Sequence, residues 1–216
     1  MTIGVDIRML GTGPRGGVQE YTENLLEHLT GLERGIRYKL FYSSSRTPLP
    51  DYDFLHRDNV RLYAFKAPNK LLFYGARLAG IPRIDKILGG VDVFFSPHFF
   101  LAPLTAGTKR VTTYHDLSYE RFPEFFSWRQ RFWHHIEMRP AWQAKFSDAV
   151  IAVSESTKRD LVERYDIDPA KIFVVYSGAD VSLRRPDNEA LERFRDEKRL
   201  PEHFILYLGT LEPRKN

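Results

Sequence analysis

Short apolar runs recur along the chain, separated by stretches in which apolar residues are spaced to fall on one helical face. The first run, Ile3-Gly4-Val5-Asp6-Ile7, passes through Gly11-Thr12-Gly13-Pro14-Arg15-Gly16-Gly17 into a segment with Val18, Tyr21, Leu25 and Leu29 on one side. This is the pattern of strand, glycine-rich loop and helix, with the helix beginning at the last glycines. Tyr38–Tyr42 and Val60–Phe65 read as further strands, and Leu71–Leu78 and Pro82–Leu88 as helices. Then come the strands Val91–Phe95 and Arg110–Tyr114, a long helical segment from Glu124 to Lys145 that Pro140 should kink or interrupt, and the strand Ala149–Val153. A helix over Ser154–Tyr165 and a short strand over Lys171–Val175 complete the series. Nearly continuous apolar strands alternating with helices predict an α/β fold, a Rossmann-like parallel sheet flanked by helices on both faces.

The pattern changes after Asp180. Charged residues dominate positions 181–203, a helix is expected over Glu189–Lys198, and Phe204–Gly209 reads as a new strand leading into Thr210-Leu211-Glu212-Pro213-Arg214-Lys215-Asn216. Two parts are therefore expected: a domain over 1–180, and over 181–216 a linker with the opening strand and loop of a second, truncated domain.

Composition narrows the classes. With 43% hydrophobic residues in 216, the chain can bury a sizeable core. It has no cysteine, which removes disulfides, thiolate metal sites and a cysteine nucleophile, and suits a reducing compartment. Asp6 and Arg8 inside the first apolar run argue against a secretory leader, and no apolar run reaches the length of a membrane span, so the cytoplasm is the expected location. A net charge of +4 is mild, and neither zinc-ligand spacing nor an RNP-like motif is present, so no nucleic-acid partner is expected.

Gly16 and Gly17 open a helix, where unpaired N–H groups and the helix dipole favour an anion; they equally allow a tight turn. His115 follows a strand at its C-terminal end, where open α/β sheets bind ligands. His98, in Ser96-Pro97-His98, holds a similar post-strand position and is either a site residue or a hydrogen-bonded loop histidine. Asp116 could orient the His115 ring, bind a ligand hydroxyl or close a turn. Asp51-Tyr52-Asp53 has the acid-x-acid spacing of metal-dependent transferases but lies in a proline-rich polar loop, and reads as a solvated turn. The aromatics of Phe125–Trp142 are expected mostly in the core, the alternative being an interfacial segment whose arginines meet anionic lipid headgroups. Arg61, Lys66, Lys70, Arg77 and Arg83 form a second basic set that could serve a phosphate-bearing ligand or be solvated.

Five segments, in order, resemble the N-terminal half of a family 4 glycosyltransferase of the GT-B fold. They are Gly16-Gly17-Val18-Gln19, Tyr114-His115-Asp116-Leu117, Val150-Ile151-Ala152-Val153-Ser154-Glu155-Ser156, Val174-Val175-Tyr176-Ser177-Gly178-Ala179-Asp180, and Gly209-Thr210-Leu211-Glu212-Pro213-Arg214-Lys215-Asn216. The resemblance implies transfer of a sugar from a nucleotide-sugar donor to a glycan or lipid-linked acceptor, with retention and without a metal or other cofactor. It implies catalytic roles at His115 and Asp116, donor binding at Gly16, Gly17, Arg214 and Lys215, and acceptor binding at Gln19, Tyr21 and His98. Peripheral contact with the inner membrane face would suit a lipid-linked acceptor. Some relatives carry arginine where this chain has Thr210, and the family's paired-glutamate motif is expected beyond Asn216, so this portion alone should be a poor catalyst.

Three rival readings remain. Gly11-x-Gly13-x-x-Gly16 satisfies a dinucleotide-binding fingerprint, but Arg8, Met9 and Leu10 separate it from the strand, and Tyr42 is followed by serines rather than an acid. A nucleotide-sugar epimerase would share the GT-B fold. A non-catalytic acceptor-binding module is the third.

Overall fold

The computed structural model describes residues 1–11, 16–33, 35–44, 48–178 and 185–209. The chain separates into two compact units, Met1–Tyr176 and Ser177–Asn216.

Among the described residues, the first unit is built on seven strands: β1 (Thr2–Asp6), β2 (Arg37–Ser43), β3 (Val60–Phe65), β4 (Val93–Ser96), β5 (Lys109–Tyr114), β6 (Ala149–Ala152) and β7 (Ile172–Val174). They form one sheet in the order β3-β2-β1-β4-β5-β6-β7, and every neighbouring pair is parallel. The helices between them are α1 (Gly17–Leu32), α2 (Asn69–Leu78), α3 (Ile84–Ile87), α4 (Ser118–Arg121), α5 (Trp128–Phe132), α6 (Pro140–Phe146) and α7 (Glu155–Tyr165). Successive strand residues point to opposite faces, and the core divides accordingly. Leu40, Tyr42 and Phe95 pack in one buried cluster with Leu26 of α1, whereas their neighbours Phe41 and Phe94 pack in another with Leu72 of α2 and Ile84 of α3. A third cluster joins Tyr114 and Val150 to Ala144 of α6 and Leu161 of α7. Both faces are thus covered, which is why these strands carry apolar residues at consecutive positions.

Local chemistry sets the boundaries. Ser154 caps α7 by accepting from the Thr157 N–H at 3.1 Å, and Asp166 ends it in the left-handed conformation, φ 55°. The expected helix over Pro82–Leu88 is a single turn, α3, and the strand expected from Val91 begins at Val93. The long segment Glu124–Lys145 is not one helix. α5 is followed by a π-helical stretch, Trp133–Met138, after which Arg139 turns left-handed at φ 48° and Pro140 starts α6 as its first residue.

The expectation that this segment's aromatics lie mostly in the core is corrected. Phe126 and Trp133 pack on the third cluster, but Phe125, Trp128, Phe132, Ile136 and Trp142 are exposed. Phe126, Trp133, Met138 and Ala144 are among the side chains of this segment that meet the core.

In the second unit, Asp187 caps α8 (Asn188–Glu197), accepting from the Ala190 N–H at 2.7 Å. The expected strand over Phe204–Gly209 is not formed: Phe204–Leu208 has no ladder partner among the described residues. An apolar run becomes a strand only where another strand offers its backbone.

Candidate active site

β1 lies between β2 and β4, so the strand order reverses there, and the crevice outside the carboxyl ends of β1 and β4 is the place where open α/β sheets take ligands. Three sequence candidates come to this edge: the start of α1 after β1, His98 after β4, and His115 after β5.

At the start of α1 the two glycines differ. Gly16 is the extended N-cap, and its N–H donates to Gln19 Oε1, while Gln19 Nε2 donates to the Met9 carbonyl at 3.2 Å. Gln19 therefore fastens the turn. The N–H groups of Gly17 and Val18 have no partner among the described residues, as expected for the first turn of a helix. A Cβ built on Gly17 would meet nothing within 4 Å, so the backbone is open to an approaching anion. Gly11 serves packing: a Cβ there would lie 1.9 Å from the Tyr42 hydroxyl.

One turn along α1, the Tyr21 ring meets the His115 ring edge-on, centroids 4.8 Å apart. His115 Nε2 lies 2.8 Å from the Pro97 carbonyl, which fixes the donor on that nitrogen and leaves Nδ1 as an acceptor with no partner among the described residues. The His115 carbonyl in turn accepts from Thr157 Oγ1 at 3.2 Å. Pro97, not Asp116, orients the ring. Asp116 Oδ1 accepts from the backbone and hydroxyl of Ser118 at 2.9 and 2.5 Å, a turn role, although its carboxylate remains exposed beside His115.

His98 stands 6.1 Å from His115, ring to ring, and packs on Phe99 at 4.1 Å and Phe100 at 5.2 Å. Its Nδ1 is buried without a hydrogen-bond partner among the described residues. Burial, reinforced by His115 and His134, pushes His98 down to about 3. Burial also lowers His115, against the opposing effects of the Pro97 bond and Asp116. Both rings are neutral at pH 7, so the edge offers neutral hydrogen-bonding groups and a helix terminus rather than a proton-bearing imidazolium.

Sequence reasoning missed the brace beneath this edge. Asp6, at the end of β1, accepts from Arg8 Nε at 2.9 Å and Arg8 Nη2 at 2.6 Å. The same Nη2 donates to the Leu101 carbonyl at 3.0 Å, and the guanidinium lies 5.4 Å from the Phe100 ring centroid. The signal was present as an acid and a base two positions apart inside an apolar run.

Arg214 and Lys215 lie outside the described residues. Asp51 is exposed and pairs with His56 at 2.7 Å, consistent with a solvated turn, and no cluster of three or more potential metal ligands occurs among the described residues. No helix among them is long and apolar enough to cross a membrane.

The chain is 35% identical over 72 residues to the serotype-specific mannosyltransferase WbdA of Escherichia coli, covering 32% of this chain and 9% of that protein. It is 39% identical over 72 residues to the D-inositol 3-phosphate glycosyltransferase of Corynebacterium glutamicum (strain R), covering 32% and 17%. The fold resembles that of Anabaena Alr3699/HepE in complex with UDP-glucose, with a TM-score of 0.59 at 16% identity over 94% of this chain and 51% of that one. The chain thus spans a minor part of the two curated relatives and about half of the solved structure. Residues 15–183 match the family model described as Glycosyltransferase Family 4, and with most of its length so matched the chain belongs to that family.

Proposed function

We propose that this chain is the acceptor-side half of a retaining hexosyltransferase of GT-B architecture that moves a sugar from a nucleotide-sugar donor to a glycan or lipid-linked acceptor. The observation that carries the reading is the meeting, at one sheet edge, of the open N–H groups of Gly17 and Val18 with a neutral His115 whose Nδ1 is an unused acceptor. The kinship with a mannosyltransferase and an inositol-phosphate glycosyltransferase, and the fold shared with a protein holding UDP-glucose, support it.

In this reading the bond between the sugar's anomeric carbon and the donor diphosphate breaks, and negative charge grows on the departing oxygen. The N-terminus of α1 stabilises that charge through Gly17 and Val18; Arg214 and Lys215, which the family resemblance assigns to the donor, lie outside the described residues. His115 Nδ1 accepts a hydrogen bond from a hydroxyl of the transferring sugar and so holds the ring in place. The acceptor hydroxyl forms the new bond from the face the leaving group departs, and its proton passes to the diphosphate. Tyr21 and His98 line the acceptor side, and Asp116 is placed to meet an acceptor hydroxyl. Residues 1–180 form the acceptor domain, and 181–216 the linker and opening of the donor domain. Exposed Phe125, Trp128 and Phe132, with Arg129 and Arg131 among them, favour peripheral contact with an anionic membrane carrying the acceptor.

The test is His115→Ala in the natural full-length protein, assayed for acceptor-dependent release of nucleoside diphosphate. Turnover should fall by roughly 10²–10³-fold with the circular dichroism spectrum unchanged. Wild-type turnover in that variant would remove His115 from the mechanism.

A further inference from the structure

Arg110, near the start of β5, is a buried cation that forms no ion pair among the described residues, Asp148 and Asp6 acting on it only from a distance. It is 9% exposed, and the only bond its guanidinium makes among the described residues is from Nη2 to the Ala102 carbonyl, 2.6 Å. The neighbouring carboxylates are committed elsewhere. Asp148 accepts from Lys109 Nζ at 2.8 Å and from the Arg110 backbone N–H at 2.9 Å, and Asp6 is held by Arg8. A guanidinium has five N–H donors, and beyond the bond to Ala102 the rest of them have no protein partner among the described residues.

Arg110 lines a cavity of about 210 Å³ together with Ala76, Arg83, Leu101, Leu104 and Trp142, among others. Arg83 is exposed, and its guanidinium is held against the Leu104 carbonyl. Trp142 is 39% exposed, and the Arg139 guanidinium lies 5.7 Å from its ring centroid. The cavity is therefore lined by one buried cation, apolar side chains and one exposed arginine, Arg83. Five residue steps separate Arg110 from His115, about 16 Å at ~3.3 Å per step, so this is a different place from the carboxyl edge of the sheet. Its volume is below the ~300–1,000 Å³ usual for whole-ligand sites, which suits a head group with a short stem rather than a nucleotide sugar.

We infer that this cavity is a second binding site, one that takes the oxyanion head of a small amphiphile, a phosphate or carboxylate on a short apolar stem. Arg110 is its buried counter-charge, Arg83 meets it from the rim, and the stem lies along Leu101, Leu104 and Trp142. The site stands independently of sugar transfer, because none of these residues takes part in the proposed reaction.

The test is isothermal titration of the protein with hexyl phosphate, hexanoate and hexanol, with Trp142 fluorescence as a second readout. The two anions should bind at least about 10-fold more tightly than hexanol, and Arg110→Met should weaken them by roughly 10–100-fold. Ala76→Leu, which fills the cavity and leaves the charges in place, should abolish binding of all three probes. If Arg110→Met does not fold, Arg83→Met and Ala76→Leu carry the test. Failure of both anions to bind, equal binding of hexanol, or anion binding unchanged in Ala76→Leu would overturn the assignment.

Discussion

Gly17→Ala separates a glycine that admits an anion from one that merely shapes a turn. The position opens α1, its φ is not in the left-handed region, and a Cβ there meets no atom within 4 Å. Alanine is favoured over glycine by about 1 kcal/mol in a helix interior and by less at an end, so stability should rise by roughly 0.3–1 kcal/mol. A methyl group added in that open space is expected to crowd a phosphate oxygen bonded to the Gly17 N–H at ~2.9 Å. Losing one preorganised donor of this kind costs roughly 10²–10³ in turnover. Gly11→Ala is the internal control, because its Cβ would overlap the Tyr42 ring and hydroxyl, with the nearest atom at 1.9 Å. Forcing that contact should destabilise the fold by about 1–3 kcal/mol. Urea unfolding followed by tryptophan fluorescence gives the stabilities, and donor turnover per folded molecule gives the activity. A Gly17→Ala protein that is no less stable and turns over like wild type would refute the phosphate role.

Two further outcomes follow from the surroundings of the site. Asp6→Ala leaves Arg8, whose side chain is only 11% exposed, without its carboxylate; urea unfolding should register a loss of about 3–5 kcal/mol, whereas Asp6→Leu with Arg8→Met should be near neutral, and a single-variant cost below about 1 kcal/mol would contradict the brace. The histidines also set a pH dependence. His98 is depressed to about 3 and His134 to about 4 from an ordinary 6.5, so between those values the unfolded chain binds more protons than the folded one. Stability is then fully present above pH 6.5 and falls as pH drops below it, by up to about 1.4 kcal/mol per pH unit per histidine. Urea midpoints at pH 7 and pH 5 should differ, with a smaller difference in His98→Gln; equal midpoints in the wild type would contradict the burial of these rings.

Much of the fold was legible because strand and helix leave different periods in the sequence, and Leu40–Tyr42 or Phe94–Phe95 could be apolar at consecutive positions only in a sheet covered on both faces. The carboxyl-edge positions of His98 and His115 followed from strand ends alone. What each does depended on partners far along the chain. The bond holding the His115 ring comes from Pro97, 18 residues earlier, so Asp116 looked equally suited by proximity. Gly16 and Gly17 were indistinguishable in sequence, because only the fold of Gln19 onto the Gly16 N–H separates them. The aromatic segment misled for a related reason: its composition records apolar content but not which side finds a neighbour. Phe204–Leu208 likewise has the composition of a strand and no ladder partner among the described residues. The Arg110 cavity had no sequence signal beyond an arginine in a strand, since it exists only through the packing of Leu101–Leu104 against α2 and α6.

The most direct measurement is release of nucleoside diphosphate by the natural full-length protein from a panel of nucleotide sugars, with and without a membrane and glycan extract of its own source as acceptor. Release from a donor only when acceptor is present, with the anomeric configuration of that donor kept in the product, is the predicted result. Turnover of the nucleotide sugar without any acceptor, or no release from any donor in the panel, would contradict the account.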